Sequence, residues 1–101
     1  MHRKRRLELI IERMALARAC NVLEEAGMPG YTVLGAVAGR GRSTAWQREG
    51  DPSSSQEMAV VIAIGDEVRI QQALEDLHRL VDAHIGMLSI SDVDVLRPER
   101  F

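Results

Sequence analysis

Two arginines alternate with glycines near the middle of the chain, in the run Gly39-Arg40-Gly41-Arg42. Each guanidinium carries forked N–H donors that match phosphate or carboxylate oxygens. The two glycines permit positive φ and close approach of the backbone to a ligand. A mostly polar stretch continues to Gln56, and irregular segments longer than about 12–15 residues are uncommon inside compact domains. The pattern predicts an anion-binding loop, with solvated loop arginines as the alternative.

The segments around this loop predict the scaffold that must hold it. Apolar runs, partly alternating, predict strands at 7–12, 31–38, 57–64 and 87–96. Apolar residues at 3- and 4-residue spacing predict helices over 14–26 and from 66 to a break at 83–86. The order β-α-β-β-α-β is the ferredoxin-like α+β arrangement, an antiparallel sheet with both helices on one face. We expect one domain over 1–101, with a loop at about 39–56.

Composition limits the classes of protein. Hydrophobic residues make up 46% and charged residues 28%, which is typical of a globular domain. Arg3 to Arg6 are all basic and are interpreted as a solvated lead-in to the first strand; the remainder is acidic, which argues against nucleic-acid binding. The single cysteine, Cys20, excludes an internal disulfide and is expected to be buried. No apolar run approaches the roughly 18–20 residues of a membrane span, so the expected location is cytoplasmic.

Three motifs, taken in order, resemble the PII signal-transduction superfamily. They are Glu24-Glu25-Ala26-Gly27, Gly30-Tyr31-Thr32-Val33, and Gly39-Arg40-Gly41-Arg42 with the polar loop after it. In that family a βαββαβ chain forms a homotrimer, and the loop after strand two is called the T-loop. The likeness is closer to the carbon-associated PII-like branch, the proteins linked to carboxysomes and bicarbonate uptake. The loop lacks the modifiable tyrosine of nitrogen-regulatory members, and His84-Ile85-Gly86 stands where they carry a Gly-Asp-Gly-Lys phosphate turn.

The resemblance implies a regulatory protein rather than an enzyme, although slow nucleotide hydrolysis is compatible with it. The implied ligands are ADP, ATP or AMP in clefts between subunits, with bicarbonate as a second ligand in the carbon-associated branch. Nucleotide would order the T-loop and so control a partner, commonly a transporter or a carboxysome-related protein. No covalent cofactor, metal ion or nucleic-acid partner is expected.

The resemblance also assigns residues. The nucleotide and anion contacts would be Thr32, Gly39, Arg40, Gly41, Arg42, Gly86, Arg97 and Arg100. Ser43, Thr44 and Trp46 would belong to the T-loop and its partner contact. Plainer alternatives remain for three of them: Thr32 as an ordinary strand residue, Gly86 as a turn glycine, and Trp46 folded back onto its own subunit.

Other functions remain open from the sequence. One is a nitrogen-type PII regulator, and another is a structural assembly module. A third is a small trimeric metal-binding protein, for which His78 and Asp82, four residues apart on one helix, are the available ligands. An exposed polar helix face explains that pair equally simply. An enzyme has weak support, because no Ser/His/Asp or Cys/His set is evident.

Overall fold

A four-stranded antiparallel sheet forms one layer of the molecule, and two helices form the other. The computed structural model describes residues 1–40, 45–47 and 57–97, the short middle segment by its backbone alone. The main sheet has the strand order β2-β5-β1-β6, which is the predicted βαββαβ topology. The elements are β1 (His2–Glu12), a 3-10 turn (Arg13–Ala15), α1 (Leu16–Glu25), β2 (Thr32–Gly35), β3 (Ala38–Arg40), β4 (Ala45–Gln47), β5 (Met58–Gly65), α2 (Glu67–Ala83) and β6 (Gly86–Val95).

The core lies between the sheet and both helices. Every second residue of the central strands points into it, and so do helical residues at 3- and 4-residue spacing. Burial of each large aliphatic side chain contributes about 1.5–3 kcal/mol. The fully buried members with the largest side chains are Leu7, Leu9, Ile11, Leu23, Val61, Ile70 and Leu77.

The first strand begins at His2, five residues before its predicted start. The interpretation of Arg3 to Arg6 as a solvated lead-in is therefore wrong. Arg3 Nε lies 3.2 Å from Asp94 Oδ1, and Arg5 Nη1 lies 2.7 Å from Asp92 Oδ1, both across β1 and β6. Opposite charges facing each other on neighbouring strands stabilise the pairing, so the basic cluster is part of the sheet.

The second strand is shorter than predicted. It ends at Gly35, where the N–H of Ala36 donates to the carbonyl of Met58 at 3.0 Å. The chain then leaves the main sheet, and β3 pairs with β4 in a separate two-stranded ladder. The segment predicted as irregular therefore contains a short hairpin, because backbone groups that leave one sheet are satisfied by pairing with each other.

The helix boundaries follow local rules that the sequence shows. Gly27 ends α1 with φ of 77° and donates to the carbonyl of Glu24 at 3.1 Å, as expected of a C-terminal glycine. The side chain of Asp66 accepts the backbone N–H of Arg69 at 3.0 Å, which is the predicted N-cap of α2. This hydrogen bond lowers the pKa of Asp66. Neither helix in the described residues is long and apolar enough to cross a membrane.

The face of the sheet opposite the helices carries an apolar patch that the described residues leave uncovered, beside the ion pair of Arg6 and Glu8 on β1. Ile10 on β1, and Val60 and Ile62 on β5, are half-buried there. Leu34 and Met87 on the flanking strands are 50% and 58% exposed. An apolar sheet face of this kind is normally buried against another layer.

Candidate functional site at the loop edge

Four strand ends meet at one edge of the main sheet. Glu12 ends β1 opposite Met58, the first residue of β5. Gly86 begins β6 opposite Ile11, and Gly35 ends β2 opposite Ala59. We call this the loop edge, because the segment 36–57 leaves and re-enters the main sheet here. Any ligand held by that segment and by the sheet must lie beside this edge.

The predicted glycine–arginine run begins on β3, four residues beyond Gly35. Gly39 is half-buried and faces Trp46 across the ladder, whereas Arg40 is exposed and faces Ala45. The exposed guanidinium leaves its donors available to an anion. The remaining predicted T-loop contacts, namely Gly41, Arg42, Ser43 and Thr44, lie outside the described residues, as do all side-chain features of Trp46.

Thr32 lies at the first position of β2, exposed and opposite Ile62. The residue before it is anchored, because the Tyr31 hydroxyl donates to Glu24 Oε2 at 2.5 Å. This hydrogen bond, with contact to Cys20 and burial adding to it, raises the pKa of the Tyr31 phenol. Cys20, predicted to be buried, is only half-buried. The α1 face thus fixes the start of β2, and with it the position of Thr32.

At the loop edge, the packing of β6 against β1 requires a glycine at position 86. A Cβ at this position would lie 2.8 Å from the carbonyl oxygen of Ile10 and 3.2 Å from Ile11 Cγ1. A real side chain cannot approach a backbone atom so closely without a shift of the strand. The glycine lets β6 start directly against β1, whatever its relation to a ligand.

Arg97 lies beyond the opposite end of β6 and is exposed. A ten-residue strand separates it from Gly86, a length of about 30 Å. Within one subunit the structure therefore does not bring Arg97 to the loop edge. Arg100, the other predicted arginine near the chain end, lies outside the described residues.

A buried hydrogen-bonded pair at the loop edge, Glu12 and His84, is not indicated by any sequence motif. Glu12 is 9% exposed, and its Oε1 lies 2.9 Å from His84 Nδ1 and 3.1 Å from the backbone nitrogen of Ile85. Because a carboxylate only accepts hydrogen bonds, the ring nitrogen and the amide are the donors. No local pattern marks this pair, since its members are 72 residues apart in the chain.

Exposed apolar side chains flank the strand ends at the loop edge. Met14, Val37 and Ile85 are 62%, 70% and 65% exposed, and each lies within two residues of the loop edge in sequence. Close by, Arg13 Nε lies 3.7 Å from Glu57 Oε2. A mixed surface of this kind suits an amphipathic ligand that has an apolar ring and charged oxygens.

Two further features of the structure, a His–Asp pair on α2 and a groove between the helices, lie away from the loop edge. His78 Nε2 lies 3.6 Å from Asp82 Oδ2 on the exposed side of α2, and the described residues contain no cluster of three or more His, Cys, Asp or Glu side chains suited to a metal ion. A groove of about 330 Å³ between α1 and α2 is lined partly by Arg18, Val22 and Asp76. None of the predicted site residues lines that groove.

The fold and the loop edge define a ferredoxin-like domain with a potential anion site where a long insertion leaves the sheet. A family model described as "Nitrogen regulatory protein P-II" matches residues 4–100, so the chain belongs to the PII family. Proteins of this family are regulatory rather than enzymes. The predicted fold class is thereby confirmed. A search of curated proteins finds no match.

Solved structures of PII-like proteins are similar over nearly the whole chain. CPII, a nitrogen regulatory PII-like protein from Thiomonas intermedia K12 bound to ADP, AMP and bicarbonate, is 27% identical with a TM-score of 0.89, covering 99% of this chain and 94% of that one. The apo form of CPII is also 27% identical, with a TM-score of 0.75 and 96% coverage of both chains. GlnK from B. subtilis, in complex with ATP, is 12% identical with a TM-score of 0.67 and 98% coverage of both chains, which shows the fold alone.

Proposed function

We propose that this protein is a cytoplasmic PII-like regulator that senses adenine nucleotides, with bicarbonate as a second ligand. The observation that carries the proposal is the similarity to CPII, whose structure contains ADP, AMP and bicarbonate. The similarity covers 99% of this chain, so it includes the loop edge as well as the core. Residues 1–101 act as one PII-like domain, with the T-loop at about 39–56.

The chemistry of the loop edge supports an adenine nucleotide as the ligand. Arg40 is exposed on β3 and offers forked donors to a phosphate. Val37 and Ile85 are mostly exposed apolar side chains at the same edge, and an adenine ring is a suitable apolar partner. Arg42, two positions further along, is proposed to hold the same phosphates or bicarbonate.

We place the ligand between the subunits of a homotrimer. The uncovered apolar patch on the sheet, which includes Ile10 and Ile62, gives the second copy its contact surface. Arg97 is too far from the loop edge to serve its own subunit's site, whereas a neighbouring copy can present it. Arg100 is proposed to act with it. A monomeric mass in light scattering would contradict this assembly.

Ligand binding is proposed to order the T-loop and thereby control a partner protein in inorganic-carbon metabolism. Phosphate contacts that order a segment are a common switching device, because the ordered and free forms present different surfaces. The partner is a transporter or a carboxysome-related protein, and Ser43, Thr44 and Trp46 are the proposed contacts. Aromatic residues such as Trp46 often anchor such interfaces.

The experiment that tests the proposal is calorimetric titration of ADP into Arg40→Ala and Arg42→Ala. A lost charge-assisted hydrogen bond weakens binding by about 1.5–3 kcal/mol, so each variant should bind at least about tenfold more weakly. Arg18→Ala is the matched control, since Arg18 lines the groove between the helices. Unchanged affinity in both loop variants would remove the arginine run from the site.

A further inference from the structure

Glu12 is the one buried charged residue in the part of the chain that the structure describes. Burial of a carboxylate is unfavourable unless hydrogen bonds compensate for lost water. A buried carboxyl group hydrogen-bonded to a histidine is weak evidence of stabilisation, since apolar residues of similar volume often replace buried polar pairs at no cost. The presence of this charge beneath the loop edge therefore needs an explanation beyond packing.

The hydrogen bonds of Glu12 hold the turn before β6 from two directions. Its Oε1 accepts from His84 Nδ1 at 2.9 Å and from the Ile85 N–H at 3.1 Å. Its own N–H donates to the carbonyl of Ile85 at 3.0 Å. One residue thus binds Ile85 through backbone and side chain together. Gly86 lies so close to the carbonyl of Ile10 that the end of the turn sits directly against β1.

The same strand end also binds the segment that carries the proposed T-loop. Arg13, the next residue after Glu12, donates its N–H to the carbonyl of Glu57 at 2.9 Å. Ala36 donates to Met58 at 3.0 Å, where the segment leaves the sheet. A continuous set of backbone hydrogen bonds therefore connects the turn at 84–86 with both ends of the segment 36–57.

We propose that Glu12 and His84 are positioning residues for the ligand site at the loop edge. They set the distance and orientation of the turn 84–86 relative to the two ends of the loop segment, so that groups from both meet one ligand. This inference rests on the proposed function. Glu12 acts through the acceptor oxygen of its side chain, which both the histidine ring and the Ile85 amide require.

The test compares four variants by ADP affinity at a temperature where circular dichroism shows each one folded. Glu12→Leu keeps the volume but removes the acceptor, His84→Ala removes one donor, and Glu12→Gln retains an acceptor oxygen. His78→Ala is the matched control, because His78 forms an exposed pair on α2, the helix that ends just before His84. We expect about tenfold weaker ADP binding in Glu12→Leu and His84→Ala, and a change within about threefold in Glu12→Gln and His78→Ala.

Thermal midpoints, measured in parallel, separate positioning from plain stability. Wild-type affinity in Glu12→Leu and His84→Ala would overturn the inference, whatever their midpoints, and so would equal losses in Glu12→Gln and Glu12→Leu. If Glu12→Leu does not fold, His84→Ala and Glu12→Gln decide the question. If the wild-type protein binds no ADP, both the proposed function and this inference are contradicted. If the wild type binds ADP and the variants bind it equally well, this inference alone is contradicted.

Discussion

Arg5 and Asp92 form one of the ion pairs through which the basic N-terminal cluster stabilises the sheet. The guanidinium of Arg5 lies 2.7 Å from Asp92 Oδ1, and Arg5 Nε lies 3.0 Å from Glu67 Oε2. The hydrogen bond from Arg5 lowers the pKa of Asp92, and the contact with Asp92 raises the pKa of Arg5. The pair joins the start of β1 to the end of β6, far from the loop edge.

A pH dependence of stability follows from Asp92. Since its pKa is lower in the folded protein, its contribution is full above the unfolded pKa of about 4 and is lost as pH falls through the folded value. We expect the thermal midpoint of the wild type to fall below about pH 4, with a smaller fall in Asp92→Asn. Asp82→Asn, on the exposed side of α2, is the control. Parallel midpoint curves for Asp92→Asn and the wild type would contradict this account.

At the scale of elements, the strands and helices were predictable where buried residues recur at a regular spacing in the sequence. The alternation of Leu7, Leu9 and Ile11 predicts β1, and Asp66 and Gly27 mark helix ends by local hydrogen bonding. The first five residues of β1 show no alternation of apolar residues. Two of the arginines there form hydrogen bonds with aspartates about 90 residues away. Composition alone cannot show pairing over that distance.

The candidate site was predictable only in part, for the same reason. Glycines and arginines in one run predict an anion-binding loop. Gly39 and Arg40 lie on β3, in the segment that leaves the main sheet at the loop edge, and anion binding there stays a prediction. The Glu12–His84 pair joins the end of β1 to the end of α2, and no sequence motif marks it. The close approach of Gly86 to Ile10 depends on the register of β6 against β1, which the sequence pattern does not specify.

Ligand binding should change how readily a protease cuts the T-loop. We expect a protease to cut between Gln47 and Gln56 in the ligand-free protein, and ADP to slow the cut, because ordering a segment removes the extended conformation that proteases need. Mass spectrometry of timed digests measures the rate at each site. Cleavage of a denatured peptide substrate with and without ADP controls for inhibition of the protease. Equal rates in the loop under both conditions would count against ligand-driven ordering.

At the scale of the whole molecule, a small aliphatic core and an uncovered apolar patch on the sheet favour association of copies. The chain belongs to the PII family, and PII-like proteins are typically trimers. In such a trimer the loop edge of one subunit can meet the end of β6 from another. Assembly would then complete the ligand site, and nucleotide binding would depend on the oligomer.

The most direct test of the central claim is calorimetric titration of the wild-type protein with ADP, with and without bicarbonate. We expect three ADP molecules per trimer and an affinity that bicarbonate changes. Linkage then requires ADP to change the affinity for bicarbonate by the same factor. No binding heat and no thermal shift with ADP, ATP or AMP under either condition would contradict nucleotide sensing and limit the similarity to the fold.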